Sequence, residues 1–138
     1  MVRPPTPFIV LASISPILNY ARWDLKFPKF VIVWALKNLF FTCVSEEAFF
    51  RGFLQRNLSE KVRKYNYGNI LSLISVSFLF GFAHFAGGFK YIVLAAMAGI
   101  VYGYAYQKTQ RIEANILCHF GLNIFHFIFL TYPALANT

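Results

Sequence analysis

The chain has 138 residues, of which 58% are hydrophobic, 20% aromatic and only 13% charged, about half the charged share of a soluble domain. Thirteen Lys and Arg against five Asp and Glu give a net charge of +8, but the basic residues are separated by long uncharged runs, which excludes a soluble nucleic-acid binder. The apolar content excludes a disordered chain, and two cysteines, Cys43 and Cys118, each inside an apolar stretch, exclude a disulfide scaffold.

A membrane-spanning helix needs about 20 mostly apolar residues. Charge-free runs occur at Pro4–Ala21, Tyr65–Phe89, Tyr91–Gln107 and Ala114–Thr138, and a further candidate, Phe30–Val44, is interrupted by Lys37 and continues into Ser45–Leu58. This pattern predicts an all-α, polytopic membrane helix bundle of about five membrane segments. Residues 1–29 form an N-terminal segment and basic loop, and residues 30–132 form the core. The first segment has a short apolar centre, Phe8–Leu18, containing Pro16. Asn19-Tyr20-Ala21 is a poor small-residue cleavage site, so a retained segment is expected rather than a signal peptide. Loops are expected at Arg22–Lys29, Arg56–Lys64, Gly87–Lys90 and Lys108–Glu113. Arg3, Arg56, Lys61, Arg63, Lys64, Lys108 and Arg111 fall on one side, against Arg22, Lys26, Lys29 and Lys90 on the other. The more basic side is expected in the cytoplasm.

Ionisable groups in hydrocarbon cost about 2.5–3.5 kcal/mol each on insertion scales, so those inside apolar runs are the candidates for function. They are Lys37, Glu46, Glu47, Arg51, His84, His119 and His126. In Glu46-Glu47-Ala48-Phe49-Phe50-Arg51, Glu47 and Arg51 are spaced i, i+4 and share a helix face in the favourable order. Glu46 lies about 100° round the helix and has no local partner, which suits a general base. The competing reading is a solvated helix end near Arg56. His84 follows Phe80-Gly81-Phe82-Ala83, where small residues admit another backbone; a packing histidine is the competing reading. His119 and Asn123 are i, i+4, and together could hold an oxyanion or simply bond a neighbouring helix. His126 lies on nearly the same stripe and reads as packing or support, as does Cys118. Ala95, Gly99 and Gly103 form a small-residue stripe for close helix contact. A base, a proton handler and anion donors are the parts needed for attack of water on an amide. There is no HExxH zinc motif.

The ordered trio Glu-Glu-x-x-x-Arg, Phe-x-x-x-His and His-x-x-x-Asn resembles the CPBP family, the CAAX-type prenyl-protein endopeptidases and bacteriocin-processing (Abi) relatives, also described as glutamic intramembrane proteases. Glu46-Glu47-Ala48-Phe49-Phe50-Arg51-Gly52, Phe80-Gly81-Phe82-Ala83-His84 and Ala98-Gly99-Ile100-Val101-Tyr102-Gly103 carry the likeness, over roughly Phe30 to Leu130. The resemblance implies that Glu46 and His84 activate water, that Glu47 and Arg51 form a supporting ion pair, and that His119 and Asn123 stabilise the oxyanion. It implies a membrane-anchored or lipidated protein or peptide substrate cleaved near its C-terminus, in a bacterial-type inner or plasma membrane. No nucleic acid partner is expected. A metal-free glutamate mechanism with no cofactor is favoured; a divalent metal, if used, would be held by Glu46, His84 and His119. The alternatives are a non-prenyl C-terminal sorting signal or bacteriocin-type peptide as substrate, a non-catalytic immunity or scaffold protein, and a transporter with a Glu–His proton relay. Members of the family carry more membrane helices than the five read here, the difference lying N-terminal to the motif core.

Depth poses a problem for this reading. At 1.5 Å per residue Glu46 lies about 25 Å along its helix from Lys29, whereas His84 lies only about 5 Å from Gly87 on the same nominal side. The two can meet only if the Glu46 helix tilts steeply or the Gly87–Lys90 turn dips inward around a wet cavity; the dip is expected.

Overall fold

The structure, a computed structural model, describes Ile14 and residues 16–131, so most of the expected first segment lies outside the described residues. Within them the chain is helical apart from short connections and an isolated antiparallel bridge between Trp23 and Leu130.

Helix α1 runs unbroken from residue 31 to residue 62. Its α-helical turns, Val31–Lys37, Val44–Glu47 and Arg56–Val62, are separated by two π-helical stretches, Asn38–Cys43 and Ala48–Gln55. Every junction keeps right-handed helical backbone angles, so the π stretches widen the helix without breaking it. The expected loop Arg56–Lys64 is therefore corrected: the helix continues to Val62. No Gly or Pro interrupts 53–62, good helix formers fill much of it, and Arg56 Nε pairs with Glu60 Oε1 at 3.3 Å, one turn on. The chain reverses at 63–67. A Cβ on Gly68 would lie 2.1 Å from the Val62 carbonyl oxygen, so this reversal requires glycine.

Helix α2 (Gly68–Ala83) then runs back along α1. A 3-10 turn, Phe85–Gly87, and Gly88 with φ of +82° lead into α3 (Phe89–Thr109). Gln110, in the left-handed region with φ of +54°, ends α3, and α4 (Ile112–Phe129) follows almost at once. The stripe expected to permit close contact does so. A Cβ on Gly99 would lie 3.1 Å from the Ser77 backbone, and one on Gly103 would lie 2.5 Å from Leu73 and 2.8 Å from Gln55. Gly81 meets α3 in return, with Ile92 O and Ala96 Cβ at 2.7 and 2.8 Å from its would-be Cβ.

Helix α4 lies antiparallel to α1. Ile112 sits against Gly52, His119 against Glu47 and Asn123 against Asn38, and Phe127 stacks on Trp34 at 3.9 Å. The Arg22–Lys29 segment is not a free loop. Asp24 and Lys26 donate backbone N–H groups to Phe129 and Ile128, Thr131 donates to Arg22, and the Lys26 ammonium bonds the Leu130 carbonyl.

This topology resolves the depth problem. α2 has 16 residues, the length of α1 from residue 47 to residue 62, and the two share a turn at their far ends. α2 therefore stops beside the middle of α1, and the turn at 85–88 lies there, not level with Lys29. His84 is delivered to the depth of Glu46 by helix length.

Burial is inverted relative to a soluble domain. Glu47 and Arg51 have no exposed surface, whereas Phe41, Phe89 and Leu117 are largely exposed. α3 and α4 are long and apolar enough to cross a membrane, and α2 is a shorter apolar helix.

Candidate active site

The first part of α1, the end of α2, and helices α3 and α4 surround a cavity of about 210 Å³. His84, His119, Asn123 and His126 line it, together with Asn38 and Tyr102. Glu46, from the middle of α1, does not itself line the cavity but lies beside two residues that do, His84 and His119. Its Oε2 is buried, accepts no hydrogen bond among the described residues, and lies 3.8 Å from His84 Nε2 and 4.0 Å from His119 Nε2. Those separations exceed a hydrogen bond and leave the carboxylate within reach of one shared water.

Both imidazoles are held from behind. His84 Nδ1 lies 2.7 Å from the Phe80 carbonyl oxygen, one helical turn earlier. A carbonyl only accepts, so Nδ1 carries the proton and Nε2 faces Glu46. His119 Nδ1 likewise donates to Glu47 Oε1 at 2.9 Å. The His119 ring stacks on Tyr102 with centroids 4.8 Å apart and meets Phe80 edge-on. The fixed tautomers turn two Nε2 atoms toward one carboxylate.

Behind this face lies a fully buried ion pair, Arg51 Nε to Glu47 Oε2 at 3.3 Å. Glu47 thus divides its oxygens, one to Arg51 and one to His119. Arg51 also donates from Nη2 to the Gly99 carbonyl at 2.8 Å, and its guanidinium lies 4.8 Å from the Phe80 ring centroid and 5.6 Å from that of Tyr102. A cation wedged between ring faces keeps part of the stabilisation that water would provide. One turn on, Gln55 Nε2 donates to the Gly103 carbonyl at 3.0 Å. The missing side chains at Gly99 and Gly103 therefore admit α2 and also leave two carbonyls open to polar groups of α1.

Asn123 Nδ2 faces Asn38 Oδ1 at 3.2 Å and Cys43 Sγ at 3.6 Å. His126 Nε2 lies 3.2 Å from the Thr131 carbonyl oxygen. Lys37 is exposed and does not line the cavity. Cys118 is half-buried and packs on the apolar cluster around Phe80. Glu46, His84 and His119 approach one another, but among the described residues no three His, Cys, Asp or Glu side chains are disposed to hold a metal ion.

Asn38, Gln55 and Asn115 carry no charge and so do not stand out within an apolar run, and Tyr102 stands out only through the Ala98–Gly103 likeness. Gln55 and Asn115 are buried, each with an amide oxygen lacking a hydrogen-bond partner among the described residues. A four-residue stripe points to both: Glu47, Arg51, Gln55 and Ser59 on α1, and Asn115, His119 and Asn123 on α4.

In comparison with known proteins, the family model described as type II CAAX prenyl endopeptidase Rce1-like matches residues 28–125. That stretch includes the Glu46–Arg51 motif, His84, His119 and Asn123. No curated protein sequence and no solved structure matches the chain.

Proposed function

Because the chain belongs to the type II CAAX prenyl endopeptidase Rce1-like family, a protease family, we propose that it is an intramembrane endopeptidase that uses Glu46 to activate water. The observation that carries this reading is the Glu46 Oε2 atom, buried without a hydrogen-bond partner within about 4 Å of two imidazole Nε2 atoms. A proton relay would string its acids and histidines across the bilayer. Here His84, His119 and Asn123 line one cavity, and Glu46 Oε2 lies within about 4 Å of both histidines.

In the proposed reaction a water bonded to Glu46 and to His84 Nε2 attacks the carbonyl carbon of the scissile peptide bond. Its proton passes to Glu46, and the carbonyl oxygen becomes an oxyanion. His119 and the Asn123 Nδ2–H stabilise that oxyanion. Glu46 then returns the proton to the amide nitrogen, the C–N bond breaks, and a carboxylate and an amine leave. Glu47 and Arg51 act through His119, holding its ring. No step is routed through a metal.

The substrate we propose is a membrane-anchored or prenylated protein cut near its C-terminus. The protein has about five membrane segments in this reading, four of them the described helices, with its more basic end in the cytoplasm of a bacterial-type cell. Reconstituted protein should cleave a membrane-anchored C-terminal peptide, and Glu46→Gln should lower kcat by about 10²–10⁴-fold, as should His84→Ala. Addition of a chelator should leave the wild-type rate unchanged. Undiminished cleavage by Glu46→Gln would remove Glu46 as the base, and loss of cleavage on chelation would overturn the metal-free mechanism. Matched peptides with and without a prenyl group decide the substrate class; equal rates would favour a non-prenyl sorting signal.

A further inference from the structure

Asn38 stands at the start of the π-helical stretch Asn38–Cys43 and lines the same cavity as Asn123. In a regular α-helix, residues i and i+5 point about 140° apart. A π-helix closes i to i+5 bonds and brings those residues nearer to one face. Here it brings Cys43 Sγ to 3.3 Å from Asn38 Oδ1. The Cys43 S–H and the Asn123 Nδ2–H both point at that one oxygen, closing a triangle across the α1–α4 interface. From the sides of 3.2, 3.6 and 3.3 Å, the oxygen and sulfur subtend only about 60° at Asn123 Nδ2, whereas the two N–H bonds of a planar amide diverge by about 120°. A single N–H therefore serves both acceptors, and the second is left over.

We propose that Asn38 is a positioning residue for the hydrolytic site: its amide oxygen, set by the π turn, holds one N–H of Asn123 so that the other faces the oxyanion. Without that acceptor the Asn123 amide can flip or rotate, presenting its own oxygen to a developing negative charge. The inference rests on the role proposed above for Asn123. It adds a fifth polar residue to Glu46, His84, His119 and Asn123, one on the Glu46 helix.

The test is a double-mutant cycle on the full chain reconstituted in lipid. Asn38→Leu keeps bulk and Asn38→Ala removes it, and both remove the acceptor. Each should lower kcat by about 10- to 100-fold with KM within twofold of wild type. Neither should have more than a twofold effect when Asn123 is already Ala, because Asn38 acts only through Asn123. Equal losses in both backgrounds, or a loss with Leu and none with Ala, would overturn the proposal in favour of plain packing. A second readout does not need turnover. In protein labelled with ¹⁵N-asparagine, the side-chain amide pair that disappears in Asn123→Ala should shift in Asn38→Ala, and an unmoved pair would sink the idea. Glu46→Gln, assayed in parallel, reports on the hydrolytic reading itself. If it retains full activity the glutamate mechanism fails, and the Asn38–Asn123 coupling is still measured by the amide signals.

Discussion

Glu47 has no exposed surface, so each of its oxygens must be matched inside the protein; Arg51 takes one and His119 the other. Removing one partner of such a pair strands the other, at a cost of about 3–5 kcal/mol, whereas removing both charges together can be close to neutral. Glu47→Gln should therefore lower the melting temperature in detergent strongly and abolish cleavage. The double variant Glu47→Leu with Arg51→Met should recover much of that stability but no activity, since His119 Nδ1 has lost the acceptor that fixes its tautomer. Recovery of cleavage in the double variant would show that Glu47 serves folding alone. The charged residues of this region were legible in the sequence because a charge inside an apolar run is costly and therefore conspicuous. The i, i+4 rule also paired Glu47 with Arg51 correctly. The contact of Glu47 with His119 was not legible, because it joins residues 72 positions apart. Asn38, Gln55 and Asn115 carry no charge, and an uncharged amide in a membrane helix is as readily a bond between helices as part of a site.

At the scale of the helices, the site depends on where each one stops and how closely it can approach its neighbour. Existence and rough extent followed from the apolar runs. The position of the α1–α2 reversal did not, since the Arg56–Lys64 stretch has a loop's charge but a helix former's composition. That misplacement was the source of the depth problem, because α2 is registered from this end. The π stretches on either side of Val44–Glu47 also left no mark in the sequence; neither is flagged by proline. The α2–α3 contact gives a sharp test. Ala in place of Gly is favoured in a helix by about 1 kcal/mol, but at Gly81 the new Cβ would lie 2.7 Å from Ile92 O and 3.2 Å from Ala96 Cα, both backbone atoms. No rotamer change relieves that overlap, and overpacking costs about 1–3 kcal/mol. Gly81→Ala should therefore lower the melting temperature and, by shifting His84 three residues on, slow cleavage. At Gly52 the nearest atom is the terminal methyl of Ile112 at 3.3 Å, which can give way, so Gly52→Ala should be neutral or stabilising. The same sign at both positions would mean that the α2–α3 packing is looser than described.

For the molecule as a whole, the inverted burial and the division of charge between its two ends belong together. Large aromatic and aliphatic side chains cover the outside of α1 and α2, where water would make them a liability and lipid does not, and the polar groups turn inward because lipid cannot satisfy them. Charge then collects at the two ends of the bundle. Arg56, Lys61, Arg63, Lys64, Lys108 and Arg111 gather where α1 ends, α2 begins and α3 passes to α4, while Arg22, Lys26 and Lys29 lie near the end of α4. The fold thus groups the two basic loops that the sequence assigned to one side, and the excess of Lys and Arg predicts that this end faces the cytoplasm. A cysteine introduced at an exposed position of each end tests this directly. The native thiols should not interfere, since Cys43 is fully buried and Cys118 half-buried in the apolar part of α4. A membrane-impermeant maleimide should label Lys29→Cys in intact cells and Lys64→Cys only after the membrane is opened. The reverse pattern would invert the molecule and place the α1–α2 reversal outside. Sixteen residues of α1, more than four turns of α-helix or somewhat fewer of π-helix, separate Glu46 from that reversal, so in the predicted orientation a substrate arriving from the cytoplasm must bring its scissile bond deep into the bundle, as a chain anchored in the bilayer can.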